Sequence, residues 1–337
     1  MIPGPPIRLA VVGLGRVFER FHLPALTRSA DAQLVTAWDA DERRRAWARQ
    51  RLPRVRAAGD FAEALEDGAD ALLLLTPPAS HAELACAALG AGLHVLVEKP
   101  MALDRAQGAM MADAASAARR RLHIGFTRRF REPYRRLKAR LPSLDASAEV
   151  DFQLRFPSSS WGARTAFLGD DHAGGGVLDD VLSHQADLLR WLLGASPSRV
   201  RVTGHAKAGL QCELEFPAGT VVRCGAAHGS YREWLVVRLA GTAFAASGST
   251  FDAGGSVAAR WRRGLAALSD RAALAAARAL GRPNVTHRSF EAQLRDFLAA
   301  VRGRAASGAG PADGLAAIAV VEACRRSMSS GSWESVV

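Results

Sequence analysis

The chain has 337 residues, 49% hydrophobic and 23% charged, and its 44 Lys and Arg against 33 Asp and Glu give a formal net charge of +11. This composition predicts a globular protein of about two domains and excludes disorder, collagen and coiled coils. Apolar runs such as residues 71–75 are far shorter than the ~20 residues of a membrane span, so we expect a cytoplasmic protein without a leader. The four cysteines are scattered without a C-x-x-C motif, which predicts buried thiols in a reducing compartment.

The positive charge comes almost entirely from arginine. Of the 44 basic residues only Lys99, Lys138 and Lys207 are lysines, so 41 are arginines. The arginines are dispersed and mixed with acidic residues, as in residues 41–45, whereas a dedicated nucleic-acid binder concentrates basic residues among aromatic ones. We therefore expect no nucleic-acid partner, while an anionic small substrate is compatible with the charge.

Short β-rich runs alternate with helical stretches before about residue 126. Strands are predicted at residues 8–12, 33–38, 71–75, 94–97 and 122–126, and helices at 81–89 and 103–121. The third strand lacks polar alternation, which is typical of a strand buried on both faces. Repeated strand-helix-strand units of this length predict an α/β fold, a doubly wound parallel Rossmann sheet over residues 1–125.

Beyond residue 126 the pattern changes to strict polar–apolar alternation. In residues 149–156 the side chains of Val150, Phe152, Leu154 and Phe156 fall on one face of a strand. Similar strands are predicted at 200–202, 212–216 and 235–239, and apolar helices at 290–301 and 315–326, with a linker at 303–310 and a surface tail from residue 327. Residues 126–337 are therefore expected to form an α+β domain with a large, mostly antiparallel open sheet.

A glycine-rich turn follows the first predicted strand. Gly13 and Gly15 let the backbone approach a pyrophosphate on a helix N-terminus, although a G-x-G alone also fits a plain turn. Phe18 occupies the place of the third small residue, so the contact of helix with strand must be looser or rearranged. Asp39 ends the second strand, where a carboxylate accepts both ribose hydroxyls of NAD and repels the 2′-phosphate of NADP. Capping of the next helix is the alternative for Asp39, and Arg43 leaves NADP open.

Further motifs recur in a specific order along nearly the whole chain. They comprise residues 76–81, 92–100, 125–130, 174–194, 295–297 and 322–323. Within them Thr76 and Pro77 precede His81, and Glu98-Lys99-Pro100 follows the fourth strand. With the glycine turn, these motifs resemble the Gfo/Idh/MocA oxidoreductase family, which includes glucose-fructose oxidoreductase and inositol dehydrogenase.

The resemblance implies that Lys99, Asp180 and His184 form the active site of a hydride-transfer enzyme. Asp180 and His184 are spaced i, i+4, so on a helix they project from one face and can share a substrate hydroxyl. An imidazole is the natural group to exchange the hydroxyl proton, and Lys99 would stabilise negative charge on the same oxygen. Unlike arginine, lysine can join a proton relay.

Other residues are assigned to the cofactor and to the substrate. The candidate cofactor-binding residues are Gly13, Gly15, Arg16, Val17, Asp39, Thr76, Pro77, His81, Glu98 and Lys99, and the candidate substrate contacts are Arg129, Trp161 and His172. Asp187 is expected in a salt bridge rather than orienting His184. Residues 170–172 supply two aspartates and a histidine, but no further spacing completes a set of three or four metal ligands, so we expect no metal.

One departure touches the predicted active-site helix. Family members usually read D-x-G-x-H, whereas Leu182 stands at the glycine position here, and with Phe18 this indicates a divergent subfamily. We expect an NAD(P)-dependent oxidoreductase, with NAD favoured, acting on a secondary alcohol or ketone of a sugar, cyclitol or nucleotide-linked sugar. A homodimer or homotetramer through the C-terminal sheet is expected because an open sheet gains by covering its exposed face. A non-catalytic dinucleotide-binding sensor or scaffold with the same fold is the alternative.

Overall fold

The computed structural model describes residues 4–66, 68–156, 176–206, 209–229, 231–253, 272 and 284–337. The chain forms two compact units, Met1–Phe126 with Phe290–Leu315, and Thr127–Ser289 with Ala316–Val337. The segment 290–315 therefore belongs with the first unit, although it follows most of the second in sequence. Among the described residues, no helix is both long and apolar enough to span a membrane.

The first unit is built on a six-stranded parallel sheet in the order β3-β2-β1-β4-β5-β6. Its strands are β1 Ile7–Val12, β2 Ala32–Trp38, β3 Arg56–Ala57, β4 Ala71–Leu74, β5 His94–Val97 and β6 Leu122–Ile124. Its helices are α1 Leu23–Arg28, α2 Glu42–Arg51, α3 Phe61–Glu66, α4 His81–Gly90 and α5 Arg105–Ala117. This strand order is that of a doubly wound dinucleotide-binding fold, which confirms the predicted fold class.

The first unit buries its apolar side chains on both sides of the sheet. β4 is fully buried along its length, as the absence of alternation predicts. Helix α8, Val285–Val301, contributes Phe290, Leu294, Phe297 and Leu298 to the same core, so the predicted apolar stripe is confirmed.

The second unit is built on an eight-stranded sheet in the order β13-β12-β11-β7-β10-β9-β8-β14. Its strands are β7 Glu149–Phe156, β8 Arg199–Ala206, β9 Gly209–Glu215, β10 Val221–His228, β11 Arg232–Leu239, β12 Thr242–Ser247, β13 Phe251–Ala253 and β14 Glu334–Ser335. Helices α6 Glu132–Arg140 and α7 Ser183–Leu193 belong to it, and α9 Pro311–Ser330 enters it at residue 316. Every neighbouring pair is antiparallel except β7 with β10, as predicted for a mostly antiparallel sheet.

The serine-rich end lies mostly on the surface, as the sequence predicts, but it is an ordered helix end and strand rather than a tail. Helix α9 continues to Ser330, and β14 pairs with the edge strand β8. Ser327 is fully buried; its hydroxyl accepts from the Val202 amide at 2.9 Å and donates to the Ser332 carbonyl at 2.6 Å. These hydrogen bonds let a polar residue occupy an interior position.

The four cysteines are free thiols, and three of them are buried as expected. Cys86 is partly exposed, so the prediction of buried thiols is wrong for that residue. Cys212 and Cys224 lie directly opposite each other on β9 and β10.

A charged network is buried between β11 and the segment before α6. Glu233 accepts from Arg128 Nε at 3.1 Å, Arg131 Nη1 at 2.5 Å and Tyr134 Oη at 2.8 Å. Burial by itself would raise the pKa of Glu233, but attraction to Arg131 and Arg128 outweighs it and lowers the pKa to about 2. The carboxylate is therefore charged at neutral pH and holds the segment against the sheet.

Replacing Glu233 by glutamine should destabilise the protein strongly. Two buried guanidinium groups then lose their anionic partner, which typically costs about 3–5 kcal/mol. Because the pKa of Glu233 is depressed in the folded state, its contribution is complete above its ordinary value of 4.5 and disappears as the pH falls toward 2. Urea unfolding of wild type and Glu233→Gln across that range should therefore give curves that converge at low pH.

Glu149→Gln is the matched control, because the Glu149 side chain is 60% exposed and lies 3.5 Å from Arg238 on the same sheet. We expect it to change the free energy of unfolding by less than about 1 kcal/mol. A constant difference between wild type and Glu233→Gln at every pH would contradict the role of the buried charge.

Candidate active site

The turn after β1 requires glycine at position 13. Gly13 has φ +94°, and a Cβ there would lie 2.6 Å from the Leu75 carbonyl carbon and 2.8 Å from the Thr76 amide nitrogen. Its own N–H donates to the Trp38 carbonyl at 2.9 Å. The backbones of three strand ends thus meet at the carboxyl edge of the sheet, which is where doubly wound folds bind nucleotides.

The Asp39 carboxylate stabilises this glycine turn by hydrogen bonds to backbone amides. One carboxylate oxygen accepts from the Leu14 amide at 2.7 Å and the other from the Asp41 amide at 2.9 Å. Asp41 caps α2, because its carboxylate accepts from the Arg43 amide at 2.9 Å. The capping role considered for Asp39 therefore belongs to Asp41.

The helix after the glycine turn begins in an unusual way, as Phe18 predicts. Residues Phe18–His22 form a π-helical turn that leads into α1. Phe18 is fully buried, with its ring edge-on to Trp47 at a centroid distance of 6.3 Å. Arg44 from α2 lies over the Trp47 ring and hydrogen-bonds the Leu14 carbonyl and Glu19. A wide turn and side chains from α2 thus accommodate the bulk of Phe18.

Two further turns at this edge are held by His81. Its ring nitrogens lie 2.8 Å from the Thr76 carbonyl oxygen and 2.9 Å from the Pro100 carbonyl oxygen. The side chain is fully buried, and burial lowers its pKa. His81 therefore fixes the relative positions of the loops after β4 and β5.

Glu98 anchors the backbone of Lys99. Its carboxylate contacts His22 Nε2 at 3.0 Å and accepts from the Lys99 amide at 3.2 Å. Gly125 gives it room, because a Cβ there would lie 2.9 Å from Glu98 Oε2. The sequence motifs gave no indication of His22, whose partner lies 76 residues away. Lys99 itself is partly exposed at the end of β5.

In the second unit, Asp180 and His184 lie on one continuous helical run. Asp180 belongs to a π-helical turn, Leu178–Leu182, and His184 to the first turn of α7. They are 4% and 6% exposed. Asp180 Oδ2 lies 3.1 Å from Nε2 of His228, the last residue of β10, to which the sequence assigned no role. Leu182 is fully buried at the end of the π-helical turn.

Asp187 forms the salt bridge that the sequence predicts, and its partner is Arg129. Arg129 Nε lies 3.0 and 3.1 Å from the two carboxylate oxygens, and Nη2 lies 2.5 Å from Oδ1. Both side chains are buried. The guanidinium of Arg129 is therefore held by α7.

The structure describes only some of the other predicted site residues. Arg16 is exposed and Val17 half-buried in the glycine turn, whereas Trp161, His172 and the acidic cluster 170–172 lie outside the described residues. Within the described part of the chain, no group of three His, Cys, Asp or Glu side chains is arranged to hold a metal ion.

The strand order and the glycine cradle are those of a dinucleotide-binding Rossmann fold. Residues 7–126 match the family model for the oxidoreductase family with an NAD-binding Rossmann fold, 146–252 match a GFO/IDH/MocA C-terminal domain, and 277–336 match the C-terminal alpha/beta domain of the oxidoreductase family. Together these models cover most of the chain. The chain belongs to the Gfo/Idh/MocA oxidoreductase family.

Individual relatives are distant. The chain is 32% identical to putative oxidoreductase YceM of Salmonella typhimurium, over 56% of this chain and 57% of that protein. It is 27% identical to rhizopine catabolism protein MocA of Rhizobium meliloti, over 96% and 95% of the two chains. The match to scyllo-inositol 2-dehydrogenase (NAD(+)) of Bacillus subtilis is 28% over 60% of this chain and 57% of that enzyme.

Solved structures share the fold over nearly the whole chain. A probable dehydrogenase from Thermotoga maritima superposes with a TM-score of 0.77 at 20% identity, covering 98% of this chain and 99% of that one. Scyllo-inositol dehydrogenase from Lactobacillus casei, solved with NAD(H) and scyllo-inositol, gives 0.76 at 18% identity, with coverage of 98% and 99%.

Alanine at position 13 should disrupt the cofactor cradle. Its positive φ costs about 1–2 kcal/mol for an L-residue, and its Cβ would also push apart β1 and the turn after β4. We expect Gly13→Ala to lower the melting temperature and to raise the Kd for NADH by about tenfold or more. Fluorescence titration with NADH and thermal unfolding measure the two effects.

Gly90→Ala is the matched control, because a Cβ at Gly90, the last residue of α4, meets no atom within 4 Å. It should leave NADH binding unchanged. If Gly13→Ala bound NADH as tightly as wild type, the close approach of Gly13 to the turn after β4 would not matter for cofactor binding.

Proposed function

We propose that this protein is an NAD-dependent dehydrogenase that exchanges a hydride with a secondary alcohol or ketone of a cyclitol, sugar or nucleotide-linked sugar. The main support is the pair Asp180 and His184, which are buried on one helical run of the second unit. The first unit carries Lys99 and the dinucleotide cradle. Relatives named as inositol 2-dehydrogenases support it. Most alignments span little more than half of those proteins, so the activity and the substrate class are inferences for this chain.

The residues of the cradle fit NAD. Gly13 and Gly15 would let the pyrophosphate approach the turn, with Arg16, Val17, Thr76 and Pro77 around it. Asp39 would accept from the ribose hydroxyls while it continues to hold the Leu14 amide, since each carboxylate oxygen has two lone pairs. The same negative charge disfavours the 2′-phosphate of NADP.

The chemistry requires a hydroxyl proton to leave as the C–H bond breaks. When bound, NAD supplies the hydride acceptor at the nicotinamide ring. His184 takes the hydroxyl proton, Lys99 donates a hydrogen bond to the oxygen as negative charge develops, and Asp180 accepts from a substrate hydroxyl. Ketone reduction uses the same groups in reverse, with His184 as the acid.

The two predicted domains have different roles in this proposal. Residues 1–125 would bind NAD, and residues 126–337 would bind substrate and form the oligomer. Arg129, Trp161 and His172 are candidate substrate contacts. The free thiols fit a reducing compartment, which supports a cytoplasmic location.

We also propose that the open face of the second-domain sheet joins subunits into a dimer or tetramer. The eight-stranded sheet is open, and covering a large sheet face with a second subunit stabilises association. Light scattering should give a multiple of the 35.8 kDa chain mass, and a monomer would contradict this proposal.

The catalytic assignment is tested by Lys99→Met, Asp180→Asn and His184→Asn. Each should lower NADH formation by about 10²-fold or more with myo-inositol, scyllo-inositol or UDP-N-acetylglucosamine, whichever the wild type oxidises, because each removes a group that acts on the reacting oxygen or its neighbour. NADH affinity of the Asp180 and His184 variants should stay near that of the wild type. His205→Asn, on an exposed histidine of β8, is the control and should be fully active.

Unchanged turnover in His184→Asn would refute the assignment of the base. Tight NADH binding with no turnover of any polyol would instead favour the non-catalytic sensor or scaffold.

A further inference from the structure

His228 ends a central strand of the second-unit sheet, close to the proposed catalytic pair. Its Nε2 lies 3.1 Å from Asp180 Oδ2, and the two side chains are 14% and 5% exposed. Nitrogen and oxygen at this separation form a hydrogen bond when the imidazole carries its proton on Nε2. The contact joins residues that lie 48 positions apart in sequence.

The contacts of the three buried aspartates on this helical run include two kinds of basic side chain, and Asp180 contacts an imidazole. Asp179 pairs with Arg325, and Asp187 pairs with Arg129. Arginine remains charged at every pH that the folded protein experiences, so these two contacts suit permanent structural roles. An imidazole can donate the same hydrogen bond while neutral, which fixes a carboxylate without cancelling its charge.

The fold holds this histidine firmly. Strand β10 lies between β7 and β9; its pairing with β7 reaches His228, opposite Phe156, and its pairing with β9 ends one residue earlier, at Ala227. Gly229 follows with φ +151°, a conformation that favours glycine and lets the chain leave the sheet immediately after His228. Asp180 lies on a π-helical turn, a widened helical segment that is frequent at functional sites. A rigid strand end thus supports a carboxylate on an irregular turn.

We propose that His228 is a positioning residue for Asp180. Its Nε2–H donates to Oδ2 and fixes the rotamer in which the carboxylate meets a substrate hydroxyl. This inference rests on the proposed role of Asp180. Loss of the donor would let the carboxylate rotate, and a misplacement of about 1 Å in a catalytic group can cost ~10²-fold in rate.

The first test compares His228→Ala with His228→Gln. The alanine variant should lose about 10–100-fold in kcat/KM, with NADH affinity unchanged, because only the substrate-facing carboxylate is disturbed. Glutamine carries an N–H donor on a side chain of similar reach and should recover most of the loss. His205→Gln, on the exposed face of β8, should behave as wild type.

The second test is a double-mutant cycle. In an Asp180→Asn background, which should keep measurable activity when substrate and enzyme are concentrated, His228→Ala should have little further effect, because its target is already altered. Full activity in His228→Ala, no recovery with glutamine, or an equal loss in both backgrounds would each overturn the positioning role.

A readout without turnover separates this inference from the proposed function. In ¹H–¹⁵N spectra of the histidine rings, wild type should show His228 as the Nε2–H tautomer with a slowly exchanging proton, identified by its loss in His228→Gln. Asp180→Ala should shift that signal and speed its exchange. If no polyol is oxidised but this shift occurs, the contact stands and the dehydrogenase assignment fails; an unchanged signal in Asp180→Ala refutes the contact itself.

Discussion

A carboxylate removed from water needs a cation or several N–H and O–H donors, because an isolated buried charge is strongly disfavoured. This constraint fixes much of the polar geometry in both units. Glu233 accepts from two arginines and two tyrosines, and Asp187 accepts from two nitrogens of Arg129. Asp39 instead accepts two backbone amides, and one of them belongs to the glycine turn. Structural rigidity and the candidate cofactor site therefore depend on the same kind of interaction.

Buried ion pairs account for some of the many arginines. Arg128, Arg129 and Arg131 are consecutive or nearly so, and all three are buried against acidic partners. Part of the positive charge is therefore neutralised by acidic side chains within the second unit. At the sheet edge the acid is the more buried partner: Glu98 is buried and accepts from the Lys99 amide, whereas Lys99 is partly exposed.

The spacing of hydrophobic residues is sufficient to predict the main strands and helices and the two kinds of sheet, because this spacing depends on which face of each element is buried. Spacing fails as a predictor where a polar residue is buried. Ser327 looks like part of a surface tail until its hydroxyl is paired with Val202, and Glu233 interrupts the inward face of β11. His228 was missed for the same reason: its partner lies far away in sequence, and periodicity carries no information about side-chain hydrogen bonds across the fold. Phe18 predicts a looser or rearranged contact of helix with strand, but its position in the motif does not reveal the π-helical turn that begins there or the contact with Trp47.

The central claim is that hydride moves between a substrate carbon and NAD on this protein. A cyclitol deuterated at its carbinol carbons, incubated with enzyme and NAD, tests it directly by NMR of the recovered cofactor. We expect deuterium at C4 of the nicotinamide, on one face of the ring, and its loss when His184 is replaced. Recovery of NAD without label, from protein that binds NADH and has been offered cyclitols, sugars and nucleotide-linked sugars, would contradict it.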